Sequence, residues 1–340
     1  MPRALEARTA YPGRMSRAIV DAEMGGPGSL TDREAEVPCQ ICGATERAPF
    51  TRDAARFGVV TCRGCGLGET RPSPPPEELR ALYVGDYAAE HARKFGPFIE
   101  GGRRAFVRAL ARRIARRAGR GGRVLDIGCG DGKLLRALAT LGYECSGTEV
   151  NPRVREGLPA NIEVHVAASG LAEAGFAERS FRIIILRHVL EHVAEPIETL
   201  REVRRIIAPG GTLVIAVPNL ASWQARLTRE HWFHLDLPRH LFHFNPATLE
   251  RALVETGFRM ERVSHFSLEQ NPYGWLQSGL TAGGGRWKTL YDQLRSAQAR
   301  KPEALVLAMA VAATPICVAL GTLESVAGAG GTIEAWARPV

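Results

Sequence analysis

The sequence predicts an α/β fold in which a largely parallel sheet is covered by helices on both faces. Three observations carry that expectation. Short runs of branched apolar residues recur along the chain, among them Val124-Leu125-Asp126-Ile127 and Ile183-Ile184-Ile185. Helix-forming stretches separate them, at Lys133 to Leu141 and Ile197 to Ile207. A glycine-rich turn joins the first of these strands to the first of these helices. Strands that alternate with helices pair in parallel, because a parallel neighbour is reached through a crossover long enough to hold a helix.

The elements follow in order. Residues 1–36 mix Arg, Glu, Gly and Pro without the apolar run of a secretory signal, so a disordered tail and a cytoplasmic location are expected. Residues 37–70 hold four of the seven cysteines. Residues 71–120 should link through the proline-rich Arg71-Pro72-Ser73-Pro74-Pro75-Pro76, a short helix from Glu77 to Tyr83 and an arginine-rich helix. The main domain is expected over 121–267. Its further strands are Tyr143 to Glu149, Ile162 to Ala167, Phe181 to Arg187, Thr212 to Val217 and Phe258 to Phe266. An apolar helical insert should fill 268–330, and 331–340 should return as the last strand of the sheet.

Apolar residues make up 45% and charged residues 24%, the balance of a soluble globular protein with a substantial core. The formal net charge is +8, and much of it lies between Arg103 and Arg123. Phe106, Leu110 and Ile114 repeat on one side of that helix, so the arginines read as its solvated face. The alternative is a surface for phosphate, in RNA or in anionic lipid. No RNA-binding motif accompanies it, and no specific nucleic-acid partner is expected.

Cys39-x2-Cys42 and Cys62-x2-Cys65 form two knuckles with 19 residues between them. That spacing suits a four-thiolate zinc site, structural because no coordination position is left for water. A disulfide pair is the alternative, disfavoured in an unexported chain. Cys129, Cys145 and Cys317 read as inert small hydrophobes.

The run Val124-Leu125-Asp126-Ile127-Gly128-Cys129-Gly130-Asp131-Gly132 carries the most information. Glycine lets backbone approach a ligand with no side chain in the way. Glu149, ending the next strand, is placed to accept hydrogen bonds from two ribose hydroxyls. A nicotinamide fingerprint, G-x-G-x-x-G, would need glycine where Lys133 stands. Two further runs accompany the loop: Leu190-Glu191-His192-Val193, and Ile206-Ile207-Ala208-Pro209-Gly210-Gly211-Thr212-Leu213 leading to Val217-Pro218-Asn219.

Over roughly residues 121–266 this set resembles the small-molecule branch of class I S-adenosylmethionine-dependent methyltransferases. The resemblance implies a Rossmann-like methyltransferase sheet with helices on both faces, here with an N-terminal zinc ribbon and an apolar helical insert before the last strand. It implies that Gly128, Gly130 and Gly132 line the methionine moiety, that Cys129 within the loop is cofactor-binding too, that Asp126 helps fix the ammonium group and that Glu149 takes the ribose. Asp126 as a loop cap and Glu149 as a solvated strand end are the plainer alternatives. The acidic residue that often follows the third strand in relatives is absent from Ala167-Ala168-Ser169. Tyr83 or Tyr87 resembles a lid residue, or is a core anchor.

Methyl transfer needs a positioned nucleophile, exclusion of water and in some cases a base. His188 is the first candidate for that base, because imidazole titrates near neutrality. Glu191 and His192 assist it or join it in binding a divalent ion. His192 alternatively makes a structural hydrogen bond. No Asn- or Asp-Pro-Pro-aromatic tetrad occurs here, which disfavours nucleobase amines. The run His231-Trp232-Phe233-His234 through Arg239-His240-Leu241-Phe242-His243 follows the fifth strand, where the acceptor lies in this family; His231, Trp232, Arg239 and His240 are its candidate substrate residues. Packing of a long loop is the alternative.

Ala304 to Leu323 carries no charge and is about long enough to cross a bilayer. Before it, Trp287, Leu290, Tyr291 and Leu294 form an apolar stripe flanked by Arg286, Lys288 and Arg295, a pattern of membrane-surface helices. The final strand must return to the sheet, so a dip into the inner face of the cytoplasmic membrane, or a buried or dimer-forming helical pair, is expected rather than a single crossing. The expected function is methyl transfer to oxygen or carbon of a small-molecule, lipid-linked or glycan acceptor. An RNA methyltransferase and a non-catalytic zinc-ribbon adaptor are the alternatives.

Overall fold

The structure is a computed structural model that describes residues 37–51, 56–84, 97–151, 158–167, 170–268, 270–283 and 304–340. The expected tail, Tyr87, Ala168-Ser169 and the basic stretch around Trp287 lie outside the described residues. Strands β1 (Arg47–Pro49), β2 (Gly58–Cys62) and β3 (Gly68–Arg71) open the chain, followed by helices α1 (Pro76–Val84) and α2 (Pro97–Ala118). Then come β4 (Arg123–Ile127), α3 (Lys133–Ala139), β5 (Glu144–Glu149), β6 (Ile162–Val166), β7 (Phe181–Arg187), α4 (Pro196–Ile206) and β8 (Ile207–Pro218). The remainder is α5 (Trp223–Thr228), β9 (Phe242–His243), α6 (Pro246–Glu255), β10 (Phe258–Ser264), α7 (Asn271–Ala282), α8 (Ala304–Val326) and β11 (Thr332–Pro339).

The main sheet has seven strands in the order β10-β11-β8-β7-β4-β5-β6. Its body is parallel, and β11 enters antiparallel between β8 and β10. The sequence located all seven strands but not that reversal, which follows from the insert returning the chain to the end of the sheet where β10 finishes, Ser264 pairing with Glu334. Strand β8 also begins at Ile207, so the expected Ala208-Pro209-Gly210-Gly211 stop is absorbed as an irregularity in its pairing with β7.

Central strand β7 shows why the sheet is covered on both sides. Ile183, Ile184, Ile185 and Leu186 are all fully buried. Because alternate residues face opposite ways, Ile183 and Ile185 pack with Leu110 and Ile114 of α2 and Leu135 and Leu138 of α3, while Ile184 and Leu186 pack with Leu200 of α4 and Leu249 of α6. Each such side chain contributes about 1.5–3 kcal/mol on burial. The apolar stripe of α2 is thus inward, and part of its arginine face serves β11: Arg113 pairs with Glu334, and Arg117 lies 5.1 Å over the Trp336 ring.

The cysteine segment is a small antiparallel sheet, β1-β2-β3, and β9 from the main domain joins it as the fourth strand. Gly68 pairs with His243, and a Cβ at Gly68 would come within 2.8 Å of both His243 Cβ and a Leu220 methyl, so the ribbon docks only with glycine there. Ile41 and Leu67 of the ribbon continue the core beneath α4 and α6. Buried Glu69 binds Arg47 at 3.0 Å and Arg71 at 2.6 Å, so the charge it carries inside is paired twice.

Candidate active site

The loop after β4 takes its shape from glycine. Gly128, Gly130 and Gly132 have φ of 67°, 53° and 68°, a region that suits glycine. Crowding adds to this: a Cβ on Gly128 would meet a Val189 methyl at 2.5 Å, and one on Gly132 a Leu158 methyl at 2.3 Å. Strand β5 lies in parallel register beside β4 and brings Glu149 alongside the loop. Its Oε2 accepts the Gly130 N–H at 2.9 Å, and its Oε1 accepts those of Val150 at 2.8 Å and Asn151 at 3.4 Å. A carboxylate offers about four lone-pair sites, so capacity remains for a ribose hydroxyl.

Asp126 is buried, which pushes its carboxyl up to about 7, against the lowering field of Arg187 and with the raising field of Glu149. Cys129 is buried too, with its thiol packed against the Gly147 backbone and its N–H donated to the Thr148 carbonyl at 3.0 Å. Burial holds that thiol protonated. A loop of open backbone, flanked by two carboxylates, fits an S-adenosyl ligand in both shape and donor chemistry.

At the carboxyl end of β7 the chain turns through His188, whose φ of 55° is unusual for a non-glycine residue. The turn brings His188 Nδ1 to 3.4 Å from Glu191 Oε1. Glu191 is only 1% exposed. Burial opposes its ionisation, but the effects led by the hydrogen-bonding contact with His188 outweigh it and hold its carboxyl below the usual range. His192 Nδ1 lies 3.0 Å from the Arg239 carbonyl, and His240 Nδ1 lies 2.9 Å from the His234 carbonyl. A carbonyl only accepts, so each Nδ1 carries a proton. The two rings meet edge to face at 4.6 Å. Burial pushes His234 and His243 down to about 3 and His240 well below its ordinary value, which keeps all three neutral.

Ligand atoms of Glu191, His192 and His240 lie within 4.8 Å of one another, an arrangement able to hold a metal ion. Of the residues singled out in the sequence, His188, Glu191, His192 and His240 come together. Arg239 is buried and paired with Asp236 at 2.6 Å. Trp232 is buried with Val59, Leu220, Ala225 and Leu235, and its indole donates to Gln224 Oε1 at 3.2 Å. His231 is exposed. The expected set lacked His234 and His243, which were quoted with the cluster but given no role. Their only signal was the density of histidine after the fifth strand.

The four ribbon thiols are free, and all lie within 4.8 Å of one another. Cys42 and Cys62 are 3.4 Å apart, and Cys39 and Cys65 are 3.6 Å apart. Ligands at about 2.3 Å from a tetrahedral zinc would be roughly 3.8 Å apart, so the set fits zinc. The backbone turns that shape the knuckles are Gly43 N–H to Cys39 O and Gly66 N–H to Cys62 O, each 2.8 Å. The ribbon reaches the histidines directly: the Thr70 hydroxyl donates to the His240 carbonyl and lies 3.1 Å from His243 Nε2.

Residues 99–263 match the family model described as a methyltransferase domain. A ubiquinone biosynthesis O-methyltransferase of Xanthomonas oryzae pv. oryzae is 28% identical over 156 residues, 42% of this chain and 65% of that protein, so the match spans just under two thirds of the relative. One from Maricaulis maris is 29% identical over 216 residues, 56% of this chain and 82% of that protein. Among solved structures, a SAM-dependent methyltransferase from Archaeoglobus fulgidus is 20% identical, with 69% of this chain and 94% of that one covered at a TM-score of 0.46. Loop, sheet and family match together make residues 99–263 a class I S-adenosylmethionine-dependent methyltransferase domain.

Proposed function

We propose that the chain transfers a methyl group from S-adenosylmethionine to an oxygen of a small-molecule or lipid-linked acceptor. The observation that carries this reading is the pairing of the Gly130–Glu149 loop with a base-like dyad, His188 and Glu191, at the ends of nearby parallel strands. The bound cofactor supplies an electrophilic methyl on a sulfonium. Asp126, the loop backbone and Glu149 hold it. His188 Nδ1–H faces Glu191, and buried His188 Nε2 has no hydrogen-bond partner among the described residues. That nitrogen takes the acceptor's proton, and Glu191 stabilises the imidazolium that forms. The relatives named as O-methyltransferases favour oxygen over carbon. A divalent ion at Glu191, His192 and His240 is a second way to lower the acceptor's pKa, favoured by their ligand atoms lying within 4.8 Å of one another.

The cysteine quartet holds one structural zinc in this reading. The insert docks on an anionic membrane surface. Val311, Ile316, Leu323 and Val326 of α8 are 65%, 63%, 59% and 84% exposed, while the helix end is tied to the domain through Glu324 and Gln224 at 2.7 Å. A helix anchored that way lies against lipid rather than crossing it. Arg286, Lys288 and Arg295 precede it in sequence and suit anionic headgroups.

One experiment tests the reaction. Cell extract incubated with the protein and methyl-labelled cofactor should gain label in the organic-extractable or small-molecule fraction. Label confined to RNA, or none despite binding of S-adenosylhomocysteine, overturns the reading. Flotation with anionic vesicles, wild type against Val311→Asp/Ile316→Asp, tests the docking. Equal sedimentation of both without lipid would turn α8 into a protein-contact element.

A further inference from the structure

We propose that the guanidinium of Arg187 binds the carboxylate of the methionyl group, so that Arg187 and Asp126 form a two-charge cradle for the cofactor's amino-acid end. The proposal rests on the methyltransferase reading and adds a residue that the sequence patterns did not assign.

Placement comes first. Strands β4 and β7 are parallel neighbours, with Asp126 opposite Ile185. Val124, Ile183 and Ile185 lie in the core beneath α2 and α3. Strand alternation puts Asp126 and Arg187 on that same face, at its carboxyl edge, where the glycine loop opens. Phe106 of α2 lies against Arg187, the guanidinium carbon 5.7 Å from its ring centroid.

Partnering comes second. Arg187 Nε is enclosed and has no hydrogen-bond partner among the described residues. A guanidinium carries five donors and is seldom sheltered without an acid. Asp126 feels its charge, yet no ion pair joins the two among the described residues. Lys133, also at the loop, is held by Asp131 at 2.6 Å. The crevice therefore offers one buried carboxyl and one under-used guanidinium side by side. An α-amino acid carries the complementary pair, an ammonium and a carboxylate on one carbon. A guanidinium takes a carboxylate through two parallel hydrogen bonds, which fixes orientation as well as charge. The stacked Phe106 ring limits the rotamers of Arg187, so the cradle is formed before the ligand arrives.

Calorimetry with two ligands tests this. S-adenosylhomocysteine has the amino-acid end and 5′-methylthioadenosine lacks it. Arg187→Met should weaken S-adenosylhomocysteine by about 10–100-fold, the scale of a lost charged hydrogen-bond pair, and change methylthioadenosine by less than about twofold. Arg187→Lys should restore part of the loss. Equal weakening of both ligands would show a packing role beneath Phe106 and overturn the proposal. Unchanged S-adenosylhomocysteine affinity in a folded Arg187→Met would do the same. Wild-type protein that binds neither ligand would remove the methyltransferase reading itself, a result distinct from either.

Discussion

The two ends of the crevice are built in different ways. At the cofactor end, Asp126, the glycine loop and Glu149 come from adjacent parallel strands and one turn, so register alone assembles them. At the proposed acceptor end, Glu191 and His192 meet His240 across a long excursion that leaves the main sheet, supplies β9 to the ribbon and returns. The first end needs only the sheet. The second needs the ribbon as well, because Thr70 holds both His240 and His243. A site that depends on one sheet should survive damage elsewhere, and a site shared between two sheets should not.

The sharpest way to break that comparison is to remove the proposed zinc ligands. Cys39→Ser with Cys62→Ser leaves two thiols where four are needed, and structural zinc sites carry about 10–16 kcal/mol of apparent binding free energy. The expected result is loss of about one zinc per chain, unfolding of the ribbon and a fall in methyl transfer of more than about 100-fold. Affinity for S-adenosylhomocysteine should stay within about threefold of wild type, because the loop and Glu149 sit on the main sheet. Metal analysis, transfer assay and calorimetry on one preparation decide it. Retained transfer without zinc would uncouple the ribbon from the acceptor end.

A smaller pair of effects sharpens the contrast. Glu191→Gln removes the charge beside His188 at nearly constant volume and should lower turnover by about 10²–10⁴-fold with ligand affinity unchanged. Glu149→Ala should do the reverse, weakening S-adenosylhomocysteine by ~1–3 kcal/mol as its hydrogen bonds are lost. Turnover at saturating cofactor and calorimetric affinity, measured on both variants, separate the two ends. If both variants lose affinity to the same degree, the crevice acts as one unit.

The same contrast explains what the sequence disclosed. The loop and its acid lie within one βαβ unit, so strand, turn and helix signals coincide at Asp126 to Gly132 and again at Glu149. The cysteine knuckles are equally local. The acceptor end was legible in composition but not in arrangement. His188, Glu191 and His192 stood out by their position after β7, whereas Trp232 stood out by residue type and is a packing residue between ribbon and domain. His234 and His243 gain their meaning only from burial, which no local pattern near them reports. The antiparallel β11 was hidden for a related reason. Its residues show strand character, but its direction is set by where the insert ends, a property of the whole chain.

The insert offers the gentlest test, through one buried acid. Glu324 is fully buried at the end of α8, and burial pushes its carboxyl up to about 7, with hydrogen bonds from Gln224 and the Gly331 N–H opposing part of that rise. An acid whose folded pKa lies above its unfolded value binds its proton more tightly when folded. Its contribution is therefore fully present below the ordinary value of 4.5 and is lost as pH rises through about 7. Glu324→Gln keeps a neutral side chain of the same shape at every pH. It should match wild type near pH 5 and exceed it by about 1–3 kcal/mol near pH 8, since a tenfold change in proton affinity is worth about 1.4 kcal/mol. Denaturant unfolding at the two pH values reads this directly. A gain that is the same at both, or larger at pH 5, would mean that Glu324 stays ionised in the fold, and that the anchor of α8 is a charged contact, not a neutral one.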